Sequence, residues 1–156
     1  MAERGIKSGA DGRRQAVGAT PEGHASGVGR RPRVLVIDDE PMLVRVIRGF
    51  LVGEADVVVA SSGAEGAAII REDCRFDVVL CDLIMPGISG VALYERLGRK
   101  CPDLQRRLVF LTGGAFVERA SDFLASVDNP VLEKPPKVEA LRDLVRRFAA
   151  GRLTAT

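Results

Sequence analysis

Several residue types that would point to a particular class of protein are scarce in this chain of 156 residues. It contains no tryptophan, and no apolar run approaches the roughly 20 residues that cross a bilayer. The N-terminus lacks the apolar core of a secretion signal, so we expect a cytoplasmic protein with no membrane segment. The three cysteines, Cys74, Cys81 and Cys101, form no CxxC pair, and we expect them to be reduced thiols that pack as small apolar side chains.

A strong excess of charge of either sign is also missing. The net charge is +2, and it is unevenly distributed. Residues 1–32 carry six basic and three acidic side chains, whereas residues 33–156 carry seventeen and eighteen. The larger part of the chain therefore does not resemble a basic nucleic-acid-binding domain, and we expect no direct DNA binding.

The N-terminal segment, residues 1–32, has little that could form a core. It holds seven glycines, two prolines and almost no large apolar side chains, so we predict a disordered tail or linker. The foldable domain is predicted to span residues 33–150, and residues 151–156 form a short C-terminal tail.

Between these ends, short apolar strand patterns alternate with helical patterns. The predicted strands are Arg33–Ile37, 55–60, Val78–Asp82, 107–112 and 130–133, and the predicted helices begin near Pro41, Gly63, Gly90, Phe116 and Val138. Five alternating βα units indicate an α/β fold with a doubly wound parallel sheet and helices on both faces.

The third strand organises the rest of the chain. Its apolar run ends at Asp82, and the following Met85-Pro86-Gly87 cannot continue a strand. Asp82 is therefore expected at the carboxyl end of a buried strand, where open α/β sheets bind their ligands. An aspartate after a strand is more often a solvated turn residue, so the interpretation depends on its neighbours.

Further polar side chains are predicted to reach the same edge of the sheet. Asp38 and Asp39 follow the first strand, Thr112 ends the fourth, and Lys134 follows the fifth. Each alone has a simpler explanation as a helix-entry, strand-end or solvated residue. Together, three carboxylates repel one another unless one is protonated or a divalent cation binds, and oxygen ligands suit Mg²⁺. Such a cluster could accept a phosphoryl group on Asp82.

Four motifs in this order resemble the response-regulator receiver domain of two-component signalling. They are VLVIDDEP, VVLCDLIMPGISG, LVFLTGG and LEKP, and they begin at residues 34, 78, 108 and 132. The resemblance implies a flavodoxin-like fold with strand order 2-1-3-4-5. It implies that Asp82 is phosphorylated by the phosphohistidine of a histidine kinase or histidine phosphotransfer protein, with Thr112 and Lys134 assisting.

The resemblance also implies a magnesium site. Its ligands would be the carboxylates of Asp38, Asp39 and Asp82 and the backbone carbonyl of Ile84. The peptide bond between Lys134 and Pro135 is expected to be cis. Phosphorylation would then alter a face that binds a downstream protein target.

Three positions depart from the family pattern or bear on its chemistry. Val131 stands where an aromatic switch residue is usual, so we expect the signal to depend more on the Gly113-Gly114 loop and the following helix. Pro136 replaces a common phenylalanine. Ile84 lies two residues after Asp82 and cannot orient a hydrolytic water, which predicts a persistent phosphoryl group.

Two settings for such a domain stay open. It could be a single-domain regulator, or the terminal receiver of a hybrid histidine kinase with residues 1–32 as its linker. The only histidine, His24, lies in that segment, so the foldable part cannot supply its own phosphohistidine and needs a kinase or phosphotransfer partner.

Three other classes of protein share part of this pattern. A haloacid-dehalogenase-type phosphatase also uses an aspartate nucleophile but expects a second aspartate where Ile84 stands. A flavodoxin-like cofactor binder needs a phosphate-cradling loop, whereas Asp38 and Asp39 would repel a phosphate. The remaining alternative is a pseudo-receiver that is never phosphorylated and acts as a constitutive protein-interaction module.

Overall fold

The computed structural model describes residues 29–114 and 117–152, without the side chains of residues 117–119. The strands are β1 Arg33–Ile37, β2 Asp56–Ala60, β3 Val78–Asp82, β4 Leu108–Thr112 and β5 Val131–Glu133. The helices are α1 Pro41–Leu51, α2 Gly63–Glu72, α3 Gly90–Lys100, α4 Pro102–Gln105, α5 Val117–Ala125 and α6 Val138–Ala149.

The five strands form one parallel sheet in the order β2-β1-β3-β4-β5. This confirms the predicted flavodoxin-like topology. In the register, Ile37 lies beside Cys81, Asp82 beside Leu111, and Thr112 beside Glu133. The carboxyl ends of β1, β3, β4 and β5 therefore lie together at one edge of the sheet.

Alternating residues of the strands face two apolar layers, which explains why the strand sequences are apolar throughout. Val34 and Val36 of β1 pack with α1 and α6, whereas Leu35 and Ile37 face the layer that contains α2, α3, α4 and α5. At Gly66 a Cβ would lie 2.5 Å from Ile37 Cδ1, so a larger residue there would have to displace the Ile37 side chain or move α2 away from the sheet.

Most predicted boundaries agree with the structure to within one residue. β2, β4 and β5 each begin one residue later than predicted. The short helix α4 was not predicted, because four residues are too few to show a helical period. The fourth predicted helix corresponds to α5, which begins at Val117, and Phe116 lies outside the described residues.

One prediction about the cysteines is wrong. Cys74, which follows α2, and Cys101, which follows α3, are joined in a disulfide with their Cα atoms 6.5 Å apart. Two cysteines separated by 26 other residues meet only when α2 and α3 pack side by side, so spacing alone did not reveal the pair. Cys81 is free and buried, as expected for a cysteine in a core strand.

The two predicted tails fall largely outside the described residues, and their boundaries stay predictions. At the N-terminal side, residues 29–32 are described. Arg30 Nη2 donates to both carboxylate oxygens of the buried Asp77, at 2.9 and 3.0 Å. No helix among the described residues is long and apolar enough to span a membrane.

Candidate functional site

A cleft of about 520 Å³ opens at the carboxyl edge of the sheet. Its walls come from the segments that follow β1, β3, β4 and β5. They include the predicted site residues Asp39, Asp82, Ile84, Thr112 and Lys134. The parallel sheet has therefore brought residues up to 95 positions apart to one place.

The carboxylates of the three aspartates lie close together at this edge of the sheet. One carboxylate oxygen from each of Asp38, Asp39 and Asp82 lies within 4.8 Å of the other two. Asp38 is 1% exposed and Asp82 is 6% exposed, whereas Asp39 is open to solvent. At such distances the mutual repulsion of three ionised carboxylates is large unless a cation offsets it.

Backbone hydrogen bonds hold the two buried aspartates in place. Asp38 Oδ1 accepts from the Glu40 amide at 2.8 Å, and the Asp38 amide donates to the Ala60 carbonyl at 3.1 Å. Asp82 Oδ1 accepts from the Ile84 amide at 3.2 Å. Both carboxylates are thus oriented by the turns that end β1 and β3.

The start of α3 is packed directly against the end of β3. The Gly90 amide donates to the Leu83 carbonyl at 3.1 Å. A Cβ at Gly90 would lie 2.6 Å from the Asp82 carbonyl oxygen, so any larger residue would force the helix away from the strand. Gly90 therefore helps to set the position of Asp82.

Lys134 supplies the positive charge at the centre of the cluster. Its Nζ lies 2.8 Å from Asp38 Oδ2, 3.1 Å from Asp82 Oδ2 and 3.2 Å from Glu40 Oε1. The Lys134 amide donates to the Thr112 carbonyl at 2.7 Å, which fixes the backbone beside β4. The Lys134–Pro135 peptide is cis, as the family resemblance implied.

Burial and charge act on the ionisation of the site in opposite directions. Burial raises the pKa of Asp82 above its ordinary value, even though Lys134 and the Ile84 amide favour the ionised form. Burial alone would lower the pKa of Lys134, but the carboxylates of Asp38 and Asp82 outweigh it and raise that pKa. The ammonium is therefore held charged between the two acids.

One polar atom of the cluster has no hydrogen-bond donor among the described residues. It is Asp38 Oδ2, which is fully buried. The Lys134 ammonium, whose Nζ lies 2.8 Å away, forms an ion pair with this oxygen. A buried carboxylate oxygen with spare acceptor capacity, beside two further carboxylates, is a donor set that fits a hard divalent cation.

The remaining site residues surround this cluster. Thr112 is buried at the end of β4 and lines the cleft. The side chain of Ile84 is 41% exposed and lies at the mouth of the cleft. Val131, in the place of an aromatic residue, is exposed on β5, whereas Pro136 is buried.

Glu40 is a charged residue of the cleft that the sequence did not predict to belong to the site. Its carboxylate reaches Lys134 across a separation of 94 residues. Its position directly after Asp38 and Asp39 indicates that it belongs to the same edge of the sheet. Only the packing of β5 beside β4 shows that it reaches Lys134.

Comparison with known proteins identifies the family. Residues 34–146 match the sequence model of the response regulator receiver domain. The chain belongs to the response regulator receiver family. It is 35% identical over 112 residues to the transcriptional regulatory protein BtsR of Escherichia coli. The matched region covers 65% of this chain and 45% of that protein.

Other relatives carry the same type of domain in a different setting. The chain is 33% identical over 123 residues to the virulence sensor protein BvgS of Bordetella bronchiseptica, covering 76% of this chain and 10% of that protein. This receiver domain thus spans less than half the length of the curated relatives it matches.

Solved structures show the same fold. The receiver domain protein from Clostridium thermocellum superposes with a TM-score of 0.69 at 28% identity, over 78% of this chain and 96% of that one. The receiver domain of AraT from Geobacillus stearothermophilus gives a TM-score of 0.66 at 25% identity, over 78% and 95%. Family and fold together support a role in two-component signalling.

Proposed function

We propose that this receiver domain takes a phosphoryl group onto Asp82 from the phosphohistidine of a histidine kinase or histidine phosphotransfer protein, in a Mg²⁺-dependent reaction. Phosphorylation would then change a face that binds a downstream protein. The observation that carries the proposal is that oxygens of Asp38, Asp39 and Asp82 lie within 4.8 Å of one another, with the Lys134 ammonium paired to Asp38 and Asp82.

The residues that would hold the metal ion are the three aspartates, together with the backbone carbonyl of Ile84. The spare, buried oxygen of Asp38 supports this assignment. When bound, Mg²⁺ would neutralise charge on the carboxylates and on the transferred phosphoryl group. Three carboxylates, one divalent ion and one ammonium then sum to zero formal charge.

The protein's own groups account for the transfer step. An ionised oxygen of Asp82 attacks phosphorus, so that a carboxylate O–P bond forms as the N–P bond to histidine breaks. The electrons of the broken N–P bond stay on the imidazole nitrogen, which then takes up a proton from water. Lys134, 3.1 Å from Asp82 Oδ2, is placed to pair with one phosphoryl oxygen, and the Thr112 hydroxyl to donate to another.

The experiment is phosphorylation by a small donor. The full chain is incubated with acetyl phosphate and Mg²⁺, and intact-protein mass spectrometry measures the gain of one phosphoryl group. We expect labelling of the wild type and of the control Asp56→Asn, whose aspartate is exposed and distant from the cleft. We expect none for Asp82→Asn, and none after chelation of the metal.

A folded wild type that stays unlabelled would overturn the proposal. That result would favour the alternative of a pseudo-receiver that acts as a constitutive protein-interaction module. The exposed Val131, which replaces the usual aromatic switch residue, is the feature that favours this alternative.

The setting of the domain is also a proposal. We infer a receiver unit at residues 33–150 that works in the cytoplasm and does not bind DNA directly. It serves either as a single-domain regulator or as the receiver of a hybrid histidine kinase. Similarity to BvgS, a sensor protein many times longer than this chain, supports the second setting.

A further inference from the structure

A second cavity, of about 510 Å³, lies between α2 and α3 and shares no lining residue with the phosphoacceptor cleft. Its floor is apolar, and small residues line the α2 side. Ala64, Ala67 and Ala68 face Leu93 and Leu97 of α3 across it. We call this cavity the α2/α3 groove.

The rim of the α2/α3 groove is basic. It carries Arg71 of α2 and Arg96, Arg99 and Lys100 of α3, all exposed. Within residues 29–114 and 117–152, none of these four side chains makes an ion pair or hydrogen bond. Some other surface arginines pair with acids, as Arg146 with Glu54 at 2.8 Å, whereas among the described residues Arg45 and Arg48 of α1 do not.

Acidic residues on the same helices do not offset this charge inside the groove. Glu72 and Glu95 are exposed but do not line it. Glu65 is bound at its own helix start, where its Oε2 accepts from the amide and hydroxyl of Ser61 at 2.7 and 2.8 Å. The groove therefore presents unpaired positive charge around an apolar floor.

The apolar floor and the basic rim together restrict which segments could bind in the α2/α3 groove. The chain's own segment 1–28 carries four basic and three acidic residues and few apolar side chains, so it complements neither the floor nor the rim. The exposed apolar pair on α1 of a second copy, Met42 and Val46, is a poor match, because Arg45 and Arg48 flank it and would repel the basic rim. The complement is an apolar segment with acidic flanks.

The shape of the groove favours a helix as that segment. Its walls are helices of 10 and 11 residues, each about 15 Å long. An apolar trough between two helices accepts a third helix through side chains at positions i, i+3, i+4 and i+7. We propose that the α2/α3 groove binds an amphipathic helix of a partner protein whose apolar stripe is flanked by Asp and Glu.

The test uses a defined probe and charge-reversed receivers. The probe is a fluorescein-labelled helical peptide of about four turns, with Leu along one face and Glu on both flanks. Its control is a peptide of identical composition with scrambled order. Fluorescence anisotropy measures binding to the full-length wild type, to Arg71→Glu/Arg96→Glu, and to the matched control Arg45→Glu/Arg48→Glu on α1.

We expect the amphipathic peptide to bind the wild type and the α1 control equally. We expect the groove variant to bind it at least about tenfold more weakly, because two attractions become repulsions. Phosphorylation by acetyl phosphate should be the same in all three proteins, which separates this proposal from the proposed function and shows that the variants fold. NMR shifts caused by the peptide should concentrate on α2 and α3.

Four results would overturn the proposal. They are equal binding of the scrambled peptide, equal weakening in the α1 control, no binding at millimolar peptide, and shifts that map away from α2 and α3. A dimer that the groove variant dissociates would instead assign the groove to a second copy of the chain. Binding to phosphatidylglycerol vesicles but not to the peptide would assign it to a membrane surface.

Discussion

Replacing Lys134 by methionine removes the only ammonium from a cluster of three aspartates and Glu40 while keeping most of the side-chain volume. Lys134 Nζ lies 2.8 Å from Asp38 and 3.1 Å from Asp82, and its side chain is 11% exposed. Each contact corresponds to about 5–6 kcal/mol of attraction at an effective dielectric of about 20, most of which desolvation offsets.

The net effect should still be large. Removing one partner of a buried ion pair costs about 3–5 kcal/mol, because the other charges stay buried without compensation. We therefore expect Lys134→Met to lower the free energy of unfolding by about that amount at pH 7 in the absence of divalent metal. This is a large part of the 5–15 kcal/mol by which a typical domain is stable.

Magnesium should restore much of this loss. If the aspartates bind the ion, it supplies the missing positive charge, and a hundredfold excess over its dissociation constant adds about 2.7 kcal/mol. The measurement is urea unfolding followed by circular dichroism, with EDTA and with millimolar MgCl₂. The matched control is Lys137→Met, an exposed lysine three residues further on whose side chain makes no hydrogen bond or ion pair in the part of the chain the structure describes.

Two outcomes would refute this reasoning. In the first, Lys134→Met and Lys137→Met are equally stable in EDTA, which would mean that Lys134 does not offset the acids. In the second, magnesium stabilises neither the wild type nor Lys134→Met, which would mean that the carboxylates do not bind the ion. Loss of phosphorylation alone would not distinguish these cases, because Lys134 is also expected to contact the phosphoryl group.

Three further predictions concern the same domain. Ile84→Asn should speed loss of the phosphoryl group from Asp82 about fivefold, because an amide can hold a water that isoleucine cannot; the decay of labelled protein measures this. Asp82→Asn should stabilise the metal-free protein at pH 7, because burial raises the pKa of this acid and so makes its ionised form costly in the folded state. The gain should disappear as the pH falls below about 4, where the carboxyl is protonated in both states. Joint replacement of Cys74 and Cys101 by serine should lower the free energy of unfolding by about 3–4 kcal/mol in protein purified without reductant, because the disulfide closes a long loop.

Each of these three predictions has a control and an outcome that would contradict it. Ile84→Val should leave the decay rate unchanged, and equal decay of Ile84→Asn would contradict the water argument. Asp56→Asn should show no gain in stability at pH 7. For the cysteines, thiol titration in denaturant should find one free thiol before reduction and three after it. Three thiols before reduction would contradict the disulfide between Cys74 and Cys101.

Much of the architecture could be predicted from local pattern. The strands and all the longer helices lie within about a residue of where apolar periodicity, prolines and glycines placed them, because these signals act over a few neighbouring residues. The parallel sheet followed from the alternation of strands and helices, whereas its strand order followed from the resemblance to the receiver family. Because the carboxyl ends of parallel strands lie at the same edge of a sheet, the aspartates, Thr112 and Lys134 could be expected there together.

Only the tertiary structure decided how distant side chains meet. The contact of Lys134 with Glu40, the pairing of Cys74 with Cys101 and the basic groove between α2 and α3 all depend on how elements pack across the sheet. Local sequence determines which residues are strand, helix or turn, because backbone preferences and periodicity are short-range. Distances of a few ångströms between residues far apart in the chain are set by packing, and the ion pair, the disulfide and the groove depend on those distances.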